Sequence, residues 1–355
     1  MKHFSKPQIV VDKNKCVRNI KKMAAKAKRH QLTFRPHFKT HQSKEVAALY
    51  AQEGVKQITV SSVEMAFYFA SFGWSDITIA FPVNIREIDR INELNEQIDL
   101  NLLVDSVRSV ELLNEQLSAP LGVFIKIDTG YGRAGVEASD ETEIENVARA
   151  VRESSMLSLK GILTHAGHTY HADSVDEIEN IHRSTVEQMK EVKKLLQKSG
   201  DEVIISVGDT PSCSLSEYFT GVHEIRPGNY VFYDLQQYNV GSCTFDEVAL
   251  ILVCPVVGVY PKKEKIIIYG GGVHFSKQSI TLNGTKIHGQ VVRLKENGWG
   301  EAIPGTYLTG VSQEHGTITC KDPDYLASLQ PGDLIGIMPV HACLAVNLLR
   351  DLYFV

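Results

Sequence analysis

The chain has 355 residues, of which 43% are hydrophobic and 22% are charged, a composition typical of a globular protein and too apolar for intrinsic disorder. Its formal net charge of −5 argues against a nucleic-acid-binding protein, which usually carries a strongly basic face. No apolar run reaches the roughly 18 residues of a membrane span, so we expect no membrane partner.

The cysteines indicate a reducing compartment. The chain contains six, scattered without a CxxC pair, and the first segment, MKHFSKPQIVVDKNKC, lacks the apolar stretch of a signal peptide. In a chain of this length, such cysteines are typical of cytosolic thiols. We therefore expect a cytoplasmic protein.

From Asp12 onward, helix-like and strand-like segments alternate along the chain. Asp12 is suited to cap the first helix. The apolar face of this helix contains Val17, Ile20, Met23, Ala24 and Ala27. Strand-like runs occur at Leu32–Lys39, Gln57–Val60, Ile77–Phe81, Leu100–Val104, Val123–Asp128, Leu159–His165, Val203–Val207 and Glu224–Arg226. Helical patterns between them cover about residues 43–53, Val63–Phe72, Ile85–Gln97, Val107–Leu117 and Ser174–Gln197.

This alternation predicts an α/β fold with parallel strands. Eight strand-like runs with helical connections are typical of a (β/α)8 barrel, that is, a TIM barrel. A doubly wound open sheet also fits simple alternation, but the count of eight favours the barrel. The absence of GxGxxG after the first strand further weakens a dinucleotide-binding interpretation.

The pattern changes near residue 245, where helical periodicity stops. Gly and Pro separate short strand candidates beyond this point, as in a small β-barrel or sandwich. These candidates are Val248–Val259, Lys265–Tyr269, Ser279–Leu282, His288–Leu294, Gly316–Cys320 and Asp333–Met338. We therefore predict a barrel in residues 1–245, with the first ten or so residues free to pack on the second domain, and a β-domain in residues 246–355.

Reactive groups of such a barrel collect where its strands end. This predicted rim is polar and cationic, and it offers several donors suited to a phosphate. Its residues are Lys39, His41, Ser61, Ser62, Phe81, Pro82, Asp105, Arg133, His165, His168, Tyr170, Asp209, Thr210, Ser212, Gly228 and Asn229.

Lys39, within RPHFKTH, is the most specific candidate on this rim. A lysine at the end of an interior strand is partly desolvated, and Arg35, His37 and His41 add positive charge nearby. Both effects favour the free amine by lowering its pKa, as Schiff-base chemistry with pyridoxal phosphate requires. Position alone is equally compatible with a surface lysine in a loop.

Two turns offer donors for the phosphate of such a cofactor. Residues 208–212 and 226–230 combine Gly and Pro with hydroxyl groups and exposed backbone N–H groups. By themselves, these segments are more often ordinary turns than phosphate sites.

Seven motifs in this order resemble those of the fold-type III pyridoxal-phosphate enzymes: RPHFKTH, DTGYGRAG, THAGHTY, GDTPS, EIRPGNYVFYD, SQEHG and HACLAVN. Within that group, the chain is similar to the D-serine dehydratase and D-threonine aldolase family from about residue 8 to residue 355. The resemblance implies an alanine-racemase-like barrel followed by a β-domain. It also implies pyridoxal 5'-phosphate as cofactor and a divalent metal, usually zinc in the dehydratases.

The resemblance also assigns cofactor contacts. It implies that Lys39 is the lysine that binds the cofactor covalently and that Arg133 faces the phenolic oxygen of the cofactor. His165 and Tyr170 would border the cofactor ring. The positions that match the phosphate-holding residues of the family are Thr210, Gly228 and Asn229.

His341 and Cys343 match the metal pair of the family. If this segment were extended, side chains two residues apart would project to the same face and reach one ion, and imidazole plus thiolate suits zinc. From the residues alone, a buried structural histidine and cysteine is the more common interpretation. The resemblance instead implies a metal pair, with manganese as the alternative ion and with water or substrate in the remaining positions.

Three features depart from the family pattern. Val340 stands where relatives often carry Asn, Gln42 stands where Lys is frequent, and residues 270–277 read GGGVHFSK in place of an Asp-Ala-Gly-type sequence. These departures bear on substrate choice. His274 within the last segment is more typical of a loop histidine than of a ligand.

The activity implied by the resemblance is that of a lyase for 3-hydroxy D-amino acids. Elimination of water, as in D-serine dehydratases, is favoured because Cys343 takes a position where the aldolases more often show a carboxylate. Retro-aldol cleavage, as in D-threonine aldolase, is the alternative. An amino-acid racemase and a non-catalytic pyridoxal-phosphate-binding protein are further alternatives. The family also implies a homodimer acting on a small-molecule substrate.

Overall fold

The computed structural model describes residues 3–282 and 284–355, which divide into two compact units. We call residues 21–39 and 44–228 the barrel unit, and residues 3–20, 40–43 and 229–355 the β-unit. Within the described residues, no helix combines the length and the apolar character needed to cross a membrane.

The strands and helices follow one another along most of the chain. The strands are β1 (Gln8–Val11), β2 (Thr33–Phe34), β3 (Gln57–Val60), β4 (Asp76–Pro82), β5 (Asp99–Val104), β6 (Leu121–Asp128), β7 (Val136–Glu137), β8 (Leu157–Leu163), β9 (Ile204–Val207), β10 (Glu224–Ile225), β11 (Leu250–Tyr260), β12 (Lys265–Tyr269), β13 (Ile280–Leu282), β14 (Thr285–Ile287), β15 (Gly289–Lys295), β16 (Gly298–Val311), β17 (His315–Cys320), β18 (Leu334–Pro339) and β19 (Leu352–Phe354). The α-helices are α1 (Lys13–Arg29), α2 (Lys44–Gln52), α3 (Val63–Ala70), α4 (Ile88–Asn95), α5 (Val107–Gln116), α6 (Glu141–Glu153), α7 (Val175–Lys198), α8 (Thr210–Leu215), α9 (Leu235–Asn239), α10 (Gly272–Phe275), α11 (Pro323–Ala327) and α12 (Ala342–Leu349). Short 3-10 helices cover Phe38–Thr40, Ile85–Glu87, Gly167–His171, Asn229–Val231, Phe245–Glu247 and Pro261–Lys263.

Eight parallel strands form the barrel unit, in the order β2, β10, β9, β8, β6, β5, β4 and β3. A parallel bridge between His37 and Thr59 connects the segment after β2 to β3 and closes the sheet. The predicted (β/α)8 barrel is therefore confirmed. Strands β3, β5 and β6 are almost continuously buried, as expected where helices cover the outer face of a parallel sheet.

Two elements of the barrel unit differ from the sequence prediction. The strand expected at Leu32–Lys39 is limited to β2, because Pro36 has no N–H for a ladder and the chain then turns into a 3-10 helix at Phe38. Helix α6 was not predicted, although Ile144, Val147, Ala148 and Val151 form a buried face at helical spacing.

The β-unit contains a closed antiparallel barrel of six strands. These strands follow in the order β12, β17, β16, β15, β18 and β11, and β11 pairs back with β12. Strand β1 pairs with β11 on the edge opposite β18, and β19 pairs with β1. The small barrel agrees with one of the two architectures that the sequence pattern predicts for this region.

The long strand β16 was not predicted from the sequence. It contains Gly300, Pro304, Gly305 and Gly310, which read as turn signals. Its pairings with β15 and β17 shift register at several points, so these residues fall at irregularities in the strand.

Arg35 joins three strands of the barrel unit. Its Nε donates to Oε2 of Glu224 at 2.6 Å, and one of its terminal nitrogens donates to Oδ1 of Asp76 at 2.5 Å. Glu224 is only 1% exposed. Because removal of one partner leaves a buried charge uncompensated, this cluster is costly to break.

We predict that Arg35→Met lowers the free energy of unfolding by about 3–5 kcal/mol, because Glu224 loses its ion partner. Urea unfolding measures the loss. The matched control is Arg108→Met, which removes an exposed pair with Glu111 and should cost less than about 1 kcal/mol. Equal losses from the two variants would contradict the prediction.

Candidate active site

Lys39 lies in the 3-10 helix that follows β2. Its neighbour Phe38 is fully buried, and the ring of Phe38 packs at about 5 Å against Tyr50, Phe69 and Trp74. This aromatic cluster anchors the backbone at Phe38. It thereby fixes the point from which the partly exposed Lys39 side chain extends.

Two histidines, the buried His37 and the half-buried His165, lie close to Lys39. The backbone N–H of Lys39 faces Nδ1 of His37 at 3.5 Å, and Nδ1 of His165 lies 2.5 Å from the carbonyl oxygen of Gly208. Burial lowers the pKa of both imidazoles well below the usual value, and the positive charge of Lys39 lowers each further. Both rings are therefore neutral at physiological pH. In His165, Nδ1 carries the proton that Gly208 accepts, which leaves Nε2 as a free acceptor.

The same end of the barrel holds an excess of positive charge. Arg226 is 4% exposed, and its Nε donates to Ser206 Oγ at 2.7 Å. Lys126, at 6% exposure, donates to the carbonyl of Ile127 at 2.9 Å. Burial, followed by the charges of Arg226 and Arg133, lowers the pKa of Lys126 to about 7. Such a site suits an anionic ligand.

The sequence analysis did not single out Lys126. The sequence feature that could have identified Lys126 is that it is the single charged residue within the otherwise apolar run LGVFIKI of β6. In a strand buried on both faces, such a residue must point into the barrel or lie under a helix. Arg133, which was singled out, is exposed, and its guanidinium lies 5.1 Å from the ring centre of Tyr131.

Hydrogen bonds join the loops after β8 and β9. The backbone N–H of Thr210 donates to the hydroxyl of Tyr170 at 3.0 Å, and Thr169 Oγ1 donates to Asp209 Oδ1 at 2.9 Å. Asp209 also caps α8 by accepting the N–H of Ser212 at 2.7 Å. These bonds connect the GDTPS segment to the loop that follows β8.

Two hydroxyls of this segment are available to a ligand. Thr210 Oγ1 is buried and has no hydrogen-bond partner among the described residues, and the buried Ser212 Oγ has no partner there except the neighbouring Asp209 carboxylate. Buried hydroxyls normally have partners, so this pair fits an anionic group such as a phosphate. The site residues predicted in the barrel unit thus all lie where strands end: Lys39, Arg133, His165, Tyr170, Thr210 and Gly228.

His341 and Cys343 lie at the start of α12 in the β-unit. His341 is the N-cap residue, and Cys343 is the second residue of the helix. The extended conformation considered for this segment is therefore wrong beyond His341, because the chain turns into a helix there.

The thiol of Cys343 faces Thr40 Oγ1 at 3.5 Å. Burial opposes ionisation of this thiol, but the imidazole of His341 and the hydroxyl of Thr40 outweigh burial and lower the pKa of Cys343.

Asn229 also belongs to this cluster. Its Nδ2 donates to Asp234 Oδ2 at 2.6 Å and lies 3.5 Å from the sulfur of Cys343. The structure thus brings Asn229, predicted as a phosphate contact, together with the predicted metal pair. The buried Oδ1 of Asn229 has no hydrogen-bond partner in the described part of the chain.

The donor chemistry of this cluster fits a divalent cation. Nδ1 of His341 faces Gln236 Oε1 at 3.2 Å, so an ion held by this imidazole would take Nε2. Residues 3–282 and 284–355 contain no group of three or more histidine, cysteine or acidic side chains placed to hold a metal. A cation bound here would therefore have two protein ligands and open positions, as catalytic sites require.

His274 is not part of either cluster. It lies in the short helix α10, and its Nδ1 accepts the backbone N–H of Gly271 at 3.1 Å. Its Nε2 lies 3.7 Å from Glu314. Its contacts are thus those of a structural histidine within the β-unit.

Two families match successive parts of the chain. The family described as alanine racemase, N-terminal domain, matches residues 11–236, and the family described as putative serine dehydratase domain matches residues 249–355. D-threo-3-hydroxyaspartate dehydratase from Delftia sp. HT23 is 31% identical, over 95% of this chain and 90% of that protein. The solved structure of that enzyme superposes with a TM-score of 0.93 and covers 100% of this chain and 95% of its own.

Further relatives include dehydratases and metal-site variants. The D-serine dehydratase of Dictyostelium discoideum is 28% identical, over 97% of this chain and 91% of its own. Solved structures of D-threo-3-hydroxyaspartate dehydratase include a histidine-to-alanine variant and a cysteine-to-alanine variant whose positions are two residues apart. The cysteine variant, described as metal-free, has a TM-score of 0.93 and 29% identity, and covers 100% of this chain and 95% of its own.

We predict that Lys126 makes the stability of the cofactor-free protein depend on pH. Between its folded pKa of about 7 and its ordinary value in the unfolded chain, only the unfolded chain binds a proton at this amine. The free energy of unfolding should therefore rise with pH in this range, and Lys126→Met should remove about 1.4 kcal/mol per pH unit of that slope. Urea unfolding at several pH values between 7.5 and 9.5 measures both slopes. Parallel curves would contradict the prediction.

Proposed function

Because this chain belongs to the D-serine dehydratase and D-threonine aldolase family of fold-type III pyridoxal-phosphate enzymes, we propose that it eliminates water from 3-hydroxy D-amino acids. D-serine, the simplest of these, would give pyruvate and ammonia. The observation that carries the choice of reaction is the His341 and Cys343 pair, since a thiolate ligand suits zinc better than the carboxylate expected in the aldolases. The dehydratase names of relatives matched over nearly the whole chain support the same choice.

The barrel unit would hold the cofactor. Lys39 would bind its aldehyde carbon, and the buried hydroxyl of Thr210, with Gly228, would face its phosphate. Asn229, the next residue and the first of the last β-unit segment, would be a further phosphate contact. Arg133, His165 and Tyr170 would lie along its ring. When bound, pyridoxal phosphate supplies an electron sink for the charge that develops at the substrate α-carbon.

Lys39 would also move the α-proton. Its amine would serve as the general base that takes this proton from a substrate held by the cofactor. The neutral imidazoles of His37 and His165 support this role. Because they carry no charge, they avoid further repulsion of any positive charge that forms on Lys39.

His341 Nε2 and the thiolate of Cys343 would hold a divalent cation, which we propose to be zinc, with manganese as the alternative. A bound cation supplies the Lewis acidity that makes hydroxide a better leaving group from the β-carbon. The metal-free cysteine variant of the related dehydratase supports this assignment, because histidine and cysteine positions two residues apart were varied there. His341 and Cys343 have the same spacing.

We further propose a cytoplasmic homodimer. All six cysteines are free thiols, which agrees with a reducing compartment. Helix α12 exposes Leu344 and Leu348 at 40% and 44%, one turn apart on the same face, which supports a further contact with a second protein surface.

We predict that borohydride reduction of the yellow holoprotein attaches the cofactor permanently to Lys39. Peptide mapping by mass spectrometry identifies the labelled lysine. Lys39→Arg should lose both the label and the visible absorbance, and its turnover should fall by at least about 10²-fold. Lys126→Met is the matched control, because it removes a buried lysine at the same end of the barrel and should leave the label on Lys39. A label on the Lys126 peptide would overturn the assignment.

We predict that D-serine yields pyruvate and that D-threonine yields 2-oxobutanoate, each with ammonia. Chelation should abolish both reactions and added zinc should restore them, because loss of hydroxide needs a Lewis acid. Coupled oxoacid and ammonia assays measure the products, with L-serine as the stereochemical control. Glycine and acetaldehyde from D-threonine, without an oxoacid, would show that the protein is an aldolase.

A further inference from the structure

A single buried carboxylate caps two helices of the β-unit. Asp234 is fully buried, and its Oδ1 accepts the backbone N–H of Gln237 at 3.0 Å, which caps α9. Its Oδ2 accepts the backbone N–H of Ala342 at 2.9 Å. Ala342 is the first residue of α12. One side chain therefore fixes the first turns of both helices.

The second of these caps determines the position of the proposed metal ligands. Ala342 stands between His341 and Cys343, and the side chain of His341 makes no capping hydrogen bond of its own. The first turn of α12 is therefore held by Asp234 in place of a local cap. Asn229 adds a second link, because its Nδ2 donates to Asp234 and lies 3.5 Å from the sulfur of Cys343.

Gln236 fixes the orientation of the His341 ring. It lies on α9, two residues after Asp234, and its Oε1 is 3.2 Å from Nδ1 of His341. An amide oxygen at this distance can accept a proton from Nδ1, which favours the neutral tautomer whose Nε2 carries the lone pair that a metal ion needs. The capped helix α9 thus orients the histidine, and the capped helix α12 carries both ligands.

We propose that Asp234 and Gln236 are positioning residues for a divalent cation at His341 and Cys343. The inference rests on the proposed metal role of that pair. Neither residue is proposed as a ligand, although Oδ2 of Asp234 lies 3.7 Å from Nδ1 of His341. Asp234 fixes the backbone between the two ligands, whereas Gln236 fixes the tautomer and rotation of the imidazole. Asp234 lies in the EIRPGNYVFYD motif, to which the sequence analysis gave no metal role.

The first test replaces the double cap with a single one. Asp234→Asn keeps one acceptor oxygen but presents an NH2 group to the other backbone N–H, so one helix loses its cap. We expect zinc affinity, measured on the holoprotein by competition with a chromophoric chelator, to fall about 10–100-fold. The matched control is Asp322→Asn, which changes the cap of α11 in the same unit and should stay within about twofold of the wild type. Visible absorbance of the cofactor should be unchanged in both variants.

A pair of substitutions at Gln236 tests the same inference without touching a helix cap. Gln236→Met removes the acceptor and should weaken zinc binding about tenfold, whereas Gln236→Glu keeps an acceptor and should bind at least as tightly as the wild type. Zinc affinity within twofold of the wild type for both Asp234→Asn and Gln236→Met would overturn the inference while leaving the metal pair intact. If Asp234→Asn does not fold, the Gln236 pair alone decides. Zinc affinity that is equal in the wild type and in His341→Ala would instead refute the metal pair itself, and this inference with it.

Discussion

Closure of the parallel barrel at residues 35–37 is the constraint on which the proposed cofactor site depends. Backbone N–H groups of Arg35 and His37 donate to one neighbouring segment, and the carbonyl of Pro36 accepts from Thr59 on the other side. These hydrogen bonds close the sheet, so that all eight strands end at one rim. Lys39 follows directly after this closing segment. Strand β2 is only two residues long, so these bonds and the buried ring of Phe38 hold the segment where a longer strand would use ladder hydrogen bonds.

The positive charge of the rim comes in part from two cationic side chains that the barrel buries, Lys126 and Arg226. Burial, and then the charges of Lys39, Arg226 and Arg133, lower the pKa of His37 and His165 and keep both rings neutral, while burial also lowers the pKa of Lys126. Such a cluster is costly in an empty site, since like charges repel strongly where water is scarce. An anionic cofactor compensates these charges. The same residues that disfavour protonated histidine therefore favour a phosphate-bearing ligand.

The barrel could be predicted from the sequence because its strands are short apolar runs separated by amphipathic helices. Lys39 could be found because it stands in a charged motif directly after such a run. The contacts around His341 could not be found in this way. The carboxylate that caps its helix comes from Asp234, 108 residues before Ala342, and nothing local to HACLAVN indicates it. Strand β16 was not predicted because its glycines and proline are typical of turns. In the structure, these residues lie at bulges within one continuous strand.

The β-unit is assembled from chain segments that are made at very different times. Strand β1 pairs in parallel with β19, so residues 9–11 lie beside residues 352–354. The antiparallel partner of β1 on its other edge begins only at Leu250. The barrel unit, by contrast, is complete by residue 228. During synthesis, the barrel unit can thus form first. The edge of β1 that pairs with β19 stays unpaired until residues 352–354 emerge from the ribosome. High sequence separation makes this final pairing slow, and an unpaired strand edge is the part of a nascent chain most open to association with other chains.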